Sequence, residues 1–335
     1  MRLNSKTLLA AAGMLALCWS SAQASEGAGA QTKPGVFIGA SAGVPPPGIY
    51  MFDQVFTYQA NLRGPGTAQI GTKTGEQVAV DVQGFLFVPG WTFLGATYDA
   101  VIVQPFVMAS VGAPINAQFS GVHNSYFVPV ELSWNLGNSG FAVKTGLGIY
   151  TPDGTQTGAN KLGNTGAPYW TFQPELILSY LKDGWNLSAA LYEEINTANS
   201  LTQYTSGSIL HADFTATKTI GKWTFGPVAY YYGQVSNDSC SSVACLATYA
   251  LGTQANPQRF NVWAVGGLVG YNFGPASLSV WATQEVSASV SNVTAAALAA
   301  GNPDGLIARG STVFATLSYR LWGPEEPAKP AMYHK

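Results

Sequence analysis

From about residue 50 to residue 322, apolar and polar residues alternate in segments of roughly ten, the period expected of strands with two unlike faces. Twelve such segments begin near Tyr50, Gln77, Thr92, His123, Phe141, Pro168, Trp185, Ser208, Trp223, Gln258, Ala276 and Thr312. Their connections alternate in length. Tight turns at Pro89-Gly90, Gly137-Asn138-Ser139-Gly140, Lys182-Asp183-Gly184, Gly221-Lys222 and Gly274-Pro275 alternate with loops rich in Gly, Asn, Thr and Ser at about 62 to 76, 112 to 122, 151 to 166, 196 to 207, 236 to 257 and 289 to 308. A bilayer needs only about 9–11 tilted strand residues per crossing, and an even strand number with short periplasmic turns and long outer loops is the organisation of a single-chain outer-membrane barrel. The pattern predicts an all-β fold over residues 49–322, a transmembrane antiparallel up-and-down β-barrel of about 12 strands.

Parity assigns the two faces. Between Trp170 and Tyr180 one face carries Trp170, Phe172, Pro174, Leu176, Leu178 and Tyr180, suited to lipid with aromatics at the interfaces, and the other carries Thr171, Gln173, Glu175, Ile177 and Ser179. In the last segment Val313, Ala315, Leu317, Tyr319 and Leu321 point outward, leaving Thr316, Ser318 and Arg320 inward. Because Lys or Arg on the lipid side costs roughly 2–4 kcal/mol near the midplane, the same count is expected to turn Asp81, Glu131, Lys144, Glu194, His211, Asp213 and Glu285 inward. The aromatics Phe85, Phe127, Tyr192, Tyr230, Tyr232 and Trp281 fall on the same inner face. Bulges would reset the phase of the third and tenth strands. Pro105, Pro129, Pro174 and Pro227 lie inside expected strands, where each removes a ladder donor and calls for a bulge or kink.

Composition supports a wall in lipid. Only 10% of the residues are charged, against roughly a quarter in an ordinary soluble protein, while aromatics reach 12% and glycine contributes 38 of 335 residues. Outside the first two dozen residues no apolar run approaches the ~18–20 residues of a membrane helix. A net charge of -2 offers no basic face for phosphates, so no nucleic-acid partner is expected. Residues 1–24 read as a cleaved secretory signal, with Arg2 and Lys6 at the positive end, Leu8 to Leu17 as the apolar core and Ala22-Gln23-Ala24 as the cleavage site, so that the mature chain begins at Ser25. Cys18 raises lipidation as an alternative, against which stands the bulky Leu17 before it.

The mature chain holds Cys240 and Cys245 in a Ser- and Asn-rich segment, read as a small disulfide-closed loop tip in an exported protein. Too few imidazole or thiolate neighbours surround them for a metal site, and His123 and His334 have no metal-ligand spacing. No metal and no cofactor are expected. Residues 25–48, with Pro45-Pro46-Pro47, lack a strand pattern and form a periplasmic N-terminal segment. Part of it, around Val36 to Ile38, is expected to fold into the barrel mouth as a plug, the alternative being a plain exported leader. Residues 323–335 form a loosely ordered tail. The finish Tyr319-Arg320-Leu321-Trp322 resembles the recognition signal of the barrel-assembly machinery, a partner expected on that ground.

Three blocks, WTFQPELILSYLKDGWNLS at 170 to 188, VPPPGIYMFDQVFTYQANL at 44 to 62 and HADFTATKTIGKWTFGPVAYYYGQV at 211 to 235, resemble the family named after the meta-pathway of phenol degradation, exported outer-membrane proteins regarded as transporters. The resemblance extends over nearly all of the mature chain and carries no catalytic signature. It implies a barrel in the bacterial outer membrane, surrounded by outer-membrane lipid and lipopolysaccharide, that admits small hydrophobic or aromatic solutes.

The pore-lining candidates are therefore Asp81, Glu131, Lys144, Glu175, Glu194, His211, Asp213, Tyr230, Tyr232, Trp281, Glu285 and Arg320. Inward charges would form a polar track for amphipathic solutes, or would pair across the lumen to hold the interior together. Inner aromatics would offer flat apolar surfaces to a ring-shaped solute, or would fill a narrow barrel. His211 and Asp213, two apart on one face, suit a hydrolase only if a nucleophile reaches them, and no Gly-x-Ser-x-Gly elbow is present. Interior hydrogen bonding is the expected role, and no enzymatic activity is expected. The function read from these features is a passive outer-membrane channel for small hydrophobic or aromatic compounds. The alternative is a structural or surface-interaction barrel with a filled lumen.

Overall fold

A computed structural model describes residues 29–63, 75–113, 116–158, 163–248, 259–291 and 307–324. The expected signal, Cys18, most of the tail with His334, and parts of the long loops lie outside the described residues. Twelve strands form the wall: β1 (Gly48–Arg63), β2 (Gly75–Val88), β3 (Ala96–Val111), β4 (Tyr126–Asn135), β5 (Phe141–Tyr150), β6 (Thr171–Tyr180), β7 (Trp185–Asn196), β8 (Ile209–Ile220), β9 (Trp223–Gln234), β10 (Arg259–Asn272), β11 (Ala276–Ser291) and β12 (Ile307–Trp322). Each strand pairs antiparallel with its chain neighbours, and β1 pairs with both β2 and β12, which closes the sheet. Closure leaves no free edge, the condition for a sheet to stand in hydrocarbon. Exposed aliphatic side chains such as Val55, Leu176, Val265 and Val313 form the outer belt, with Trp91, Trp185, Trp223 and Trp322 at the short-turn end and Trp170 and Trp263 at the loop end.

Local chemistry sets the strand ends. In the turn between β6 and β7, Asp183 (φ 53°) and Gly184 (φ 77°) take the left-handed conformation that tight hairpins need. The third strand begins at Ala96 rather than Thr92, because Thr92–Phe93 folds back on Ala96 and Thr97 as a minor hairpin turning through Leu94 (φ 50°) and Gly95 (φ 79°). The fourth begins at Tyr126 rather than His123: a short strand, Ala117–Val122, first pairs with the loop end of β3, and the chain then breaks at residues 123–125, where the His123 N–H donates to the Pro105 carbonyl at 3.0 Å. Pro129 sits in a bulge between Phe127 and Glu131, matched by a shift between Asp99 and Val101 on β3. A further bulge lies at Trp263/Ala264, opposite Val286. Pro174 and Pro227 face outward.

The wall sorts polar-in and apolar-out over β5 to β9 and inverts over β1 to β3. There Phe52, Phe56, Val80, Val82, Val101, Val103 and Val107 face the lumen, whereas Asp53, Asp81, Gln83 and Gln104 alternate with them on the outer side. The expected inward placement of Asp81 is thus corrected, as are those of Phe85 and Phe127. The β1–β2 ladder runs without a shift from Gly48 to Asn61, so burial of Val78 and Val80 forces Asp81 and Phe85 to the opposite face. Gly84 locks this phase, since a Cβ there would lie 2.1 Å from the Phe52 ring. For Phe127 the bulge at Pro129 moves Glu131 inward while Phe127 stays outward. On the outer side the Asp81 carboxyl lies beside that of Asp53.

An acid on the lipid side is a removable cost. Asp81→Leu is expected to stabilise the barrel by roughly 1–2 kcal/mol, less than the cost of a Lys or Arg at that depth, as read by urea unfolding in lipid vesicles. A loss of stability would contradict the outward placement.

Candidate functional site: the lumen

Residues 29–47 lie inside the barrel, and they do so because inward side chains replace the backbone partners that a strand would have supplied. Glu194 accepts the N–H groups of Gln31 (2.8 Å) and Thr32 (2.7 Å). Asp213 accepts those of Gly35 (3.0 Å) and Phe37 (3.1 Å), Thr215 that of Gly39 (2.9 Å) and Ser179 that of Ala42 (2.8 Å). From the other side the Trp281 indole donates to the Gly35 carbonyl (3.0 Å) and the Gln54 amide to that of Val36 (3.0 Å). Hydrogen bonds to carboxylates are about twice as strong as neutral ones, so β7 and β8 hold the segment most firmly. Gly35 is required here, with φ +91° and a Cβ position 2.9 Å from the Tyr230 ring. Phe37 stacks on Tyr192 at 4.2 Å. His211 Nε2 lies 3.1 Å from Glu194 Oε1, so both members of the His211 and Asp213 pair are engaged with the segment or with its anchor.

Toward the loop end, Lys33 Nζ sits 3.5 Å from Glu285, 3.3 Å from the Tyr230 hydroxyl and 4.2 Å above the Tyr58 ring. Glu285 also accepts the hydroxyls of Tyr58 (2.9 Å) and Tyr230 (2.8 Å) and the Gly310 N–H (2.7 Å). Around them Tyr232, Phe260, Val262, Ile307 and Phe314 are buried in one cluster. Toward the short turns, Lys144 Nζ bridges Asp99 (3.1 Å) and Glu131 (3.2 Å), and the Glu175 carboxyl lies beside that of Glu131. Gly146 makes this meeting possible, since a Cβ there would lie 2.6 Å from Glu175 Oε1. Arg320 closes the mouth, donating to the Pro47 carbonyl beside the Tyr50 ring.

Between the segment and the β1 to β4 wall is a cavity of about 520 Å³, a size ordinary for small-molecule sites. Its wall is the inverted one, with Phe52, Phe56, Val80, Val82, Val101, Val103, Val107 and Val128, and it reaches Pro45, Ser277 and Ser318 near the short-turn end. Of the sequence-derived candidates, Glu131, Lys144, Glu175 and Trp281 line this cavity. Glu194, His211, Asp213, Tyr230, Tyr232, Glu285 and Arg320 face inward without lining it, and Asp81 faces out. Sequence reasoning missed Gln31, Lys33, Tyr58 and Asp99. Only Asp99 left a usable signal, its position one pair before the Pro129 bulge.

At the loop end Cys240 and Cys245 are joined, with Cα atoms 5.6 Å apart, Cys245 lying within a short helix α1 (Val243–Thr248). Nearby, burial pushes the Asp238 carboxyl above its ordinary range, against hydrogen bonds from Tyr204, Gly207 and Gln234. Among the described residues no group of three or more His, Cys, Asp or Glu side chains is placed to hold a metal ion.

A family model for the MetA-pathway of phenol degradation matches residues 61–299. The chain belongs to this family. The matched stretch of the phenol-degradation family begins within β1 and ends between β11 and β12, so the lumenal segment at 29–47 precedes it. Among solved structures the chain is similar to the COG4313 outer membrane channel from Pseudomonas putida F1, with a TM-score of 0.66 and 11% identity, covering 84% of this chain and 98% of that one. At that identity the likeness is one of fold. A Pseudomonas aeruginosa FadL homologue aligns with a TM-score of 0.40 and 10% identity over 82% of this chain and 90% of its own. Comparison with proteins of curated function gives no match.

Asp213→Ala leaves the buried Gly35 and Phe37 N–H groups without their acceptor, at a cost of about 1–3 kcal/mol each. Chymotrypsin cleavage after Phe37 in the detergent-solubilised protein is expected to accelerate at least tenfold. An unchanged rate would show that the carboxylate does not hold the segment.

Proposed function

We propose that the protein is a passive channel in the bacterial outer membrane for small hydrophobic or aromatic compounds. The observation that carries this reading is the inverted wall: a polar-lined pore needs no valines on its inner face, yet β2 and β3 present Val80, Val82, Val101, Val103 and Val107 to an inner cavity. Membership of the phenol-degradation family and a fold like that of an outer membrane channel agree with it. Residues 29–47 act as a plug that narrows the bore to this apolar cleft. Glu194, Asp213 and Glu285 hold the plug, while Glu131, Lys144 and Glu175 face the solute. Outer loops gather solutes that lipopolysaccharide excludes, and weak contacts along the cleft let them move on, since tight binding would stop release. The barrel-assembly machinery reads the aromatic finish at Tyr319 to Trp322. No step in this reading requires bond chemistry.

A filled structural barrel is the second reading, favoured by the buried aromatic cluster of Tyr58, Tyr232, Phe260 and Phe314. The two part in asymmetric vesicles with an outer leaflet of lipopolysaccharide. A channel of the proposed kind admits labelled toluene well above empty vesicles and glucose hardly at all, whereas a filled barrel admits neither. Val82→Trp combined with Val103→Trp is expected to cut toluene entry at least fivefold while the protein still folds. Equal entry would remove the cleft from the pathway.

A further inference from the structure

The short-turn half of the cavity wall carries an imbalance that an apolar solute alone does not use. Three carboxyl groups, on Asp99, Glu131 and Glu175, share one ammonium, that of Lys144, which bonds the first two. Glu175 is left with the Glu131 carboxyl as neighbour, and its Oε1 has no hydrogen-bond partner although the residue is 6% exposed. Two carboxyl groups brought together in this way are held by a proton or by a cation. Independently, Gln31 is 2% exposed, lines the same cavity, and has neither amide atom partnered. Buried polar groups of this kind cost free energy until a ligand satisfies them. Tyr126 and Tyr192 line the cavity too, Tyr192 directly across the ladder from Glu175, and their ring faces favour a positive charge. The other basic groups at the cavity are already engaged, Lys33 with Glu285 and His123 through its two ring nitrogens with the Thr165 and Gln31 carbonyls.

We infer that the cavity is a binding site for protonated organic amines with an apolar body, of the aryl-alkyl ammonium class. The ammonium lies between the Glu175 and Glu131 carboxyl groups and donates to the free Glu175 Oε1. The apolar body lies along Val101, Val103 and Val128, with the Gln31 amide open to a polar substituent at its far end. A solute carboxylate in the same place would meet Glu131 and Glu175 with no unmatched base to receive it. The inference rests on the channel reading, whose cleft it fills, and narrows the solutes to a charge class.

The test is calorimetric titration of the full detergent-solubilised chain at pH 7 with 2-phenylethylamine, ethylbenzene and phenylacetate, which share a body and differ in charge. The amine is expected to bind at least tenfold more tightly than phenylacetate and severalfold more tightly than ethylbenzene. Glu175→Gln keeps the shape and removes the charge, so the advantage of the amine over ethylbenzene should collapse to less than twofold, with ethylbenzene itself little changed. Phenylacetate matching the amine in the wild-type chain, a comparison that needs no variant, overturns the inference, as does an undiminished amine advantage in Glu175→Gln. Ethylbenzene binding as well as the amine overturns the charge preference alone and leaves the channel reading standing. Failure of all three to bind removes both.

Discussion

Closure of the β1–β12 ladder is the constraint from which the rest follows. In hydrocarbon no water can satisfy an open edge, so every backbone N–H and C=O of the wall must find a partner within the sheet. Register along that seam runs from Ile49 opposite Trp322 to Arg63 opposite Ile307, with one irregularity at its short-turn end. Once it is fixed, the face taken by every residue of β1 and β12 is fixed with it, and through β2 and β11 the constraint travels around the barrel. A side chain changes face only where a bulge inserts a residue, and the structure uses bulges at Pro129 and at Val286 for that purpose.

The lumen is consequently unequal on its two sides. Strands β6 to β8 direct Ser179, Glu194, Asp213 and Thr215 inward, and these are acceptors for a segment with no ladder of its own. Strands β1 to β3 direct mainly valine and phenylalanine inward, side chains that offer a backbone nothing to bond, with Gln54 of β1 reaching the Val36 carbonyl. The segment therefore adheres to one wall and leaves a gap at the other. An acceptor-bearing wall on both sides would close the gap, and an apolar wall on both sides would leave the buried N–H groups of residues 31–42 unsatisfied.

How much of this was legible in the sequence depends on how local its cause is. Strands starting at Phe141, Trp185, Trp223 and Ala276 begin where the alternation and the turn residues put them, because a Gly in left-handed conformation and a period of two are properties of a few adjacent residues. The starts at Thr92 and His123 were misplaced because a side hairpin and a chain break depend on what β3 offers as a partner. Alternation around Asp81 is plain, with Val78, Val80 and Val82 on one side and Asp81 and Gln83 on the other. Parity, however, divides residues into two sets without saying which set faces inward. The rule that charge avoids lipid favours the set with Asp81 inward, and here burial of the valines and the contact between Gly84 and Phe52 outweigh it. In the same way Glu194 and Asp213 follow from parity, whereas their partners on residues 31–37 do not, since an aperiodic segment carries no signal of the surface it will meet.

A gap bounded by one fixed wall and one anchored segment has its ends set by the anchors. Each carboxylate takes two nearby N–H groups, Glu194 those of residues 31 and 32 and Asp213 those of 35 and 37, so the segment is pinned at two points about four residues apart. Between those points Gly35 passes under Tyr230 and Phe314 at a distance no other residue tolerates, which prevents the segment from rising toward the loop end. Beyond it, residues 39–44 are held by the neutral hydroxyls of Thr215 and Ser179, and the Arg320 guanidinium fixes the end of the segment at Pro47, where the cavity meets the mouth. The carboxylate bonds at residues 31–37 and the guanidinium bond at Pro47 therefore set the two ends of the gap, and the neutral bonds between them leave its width to the packing of the segment against the apolar wall.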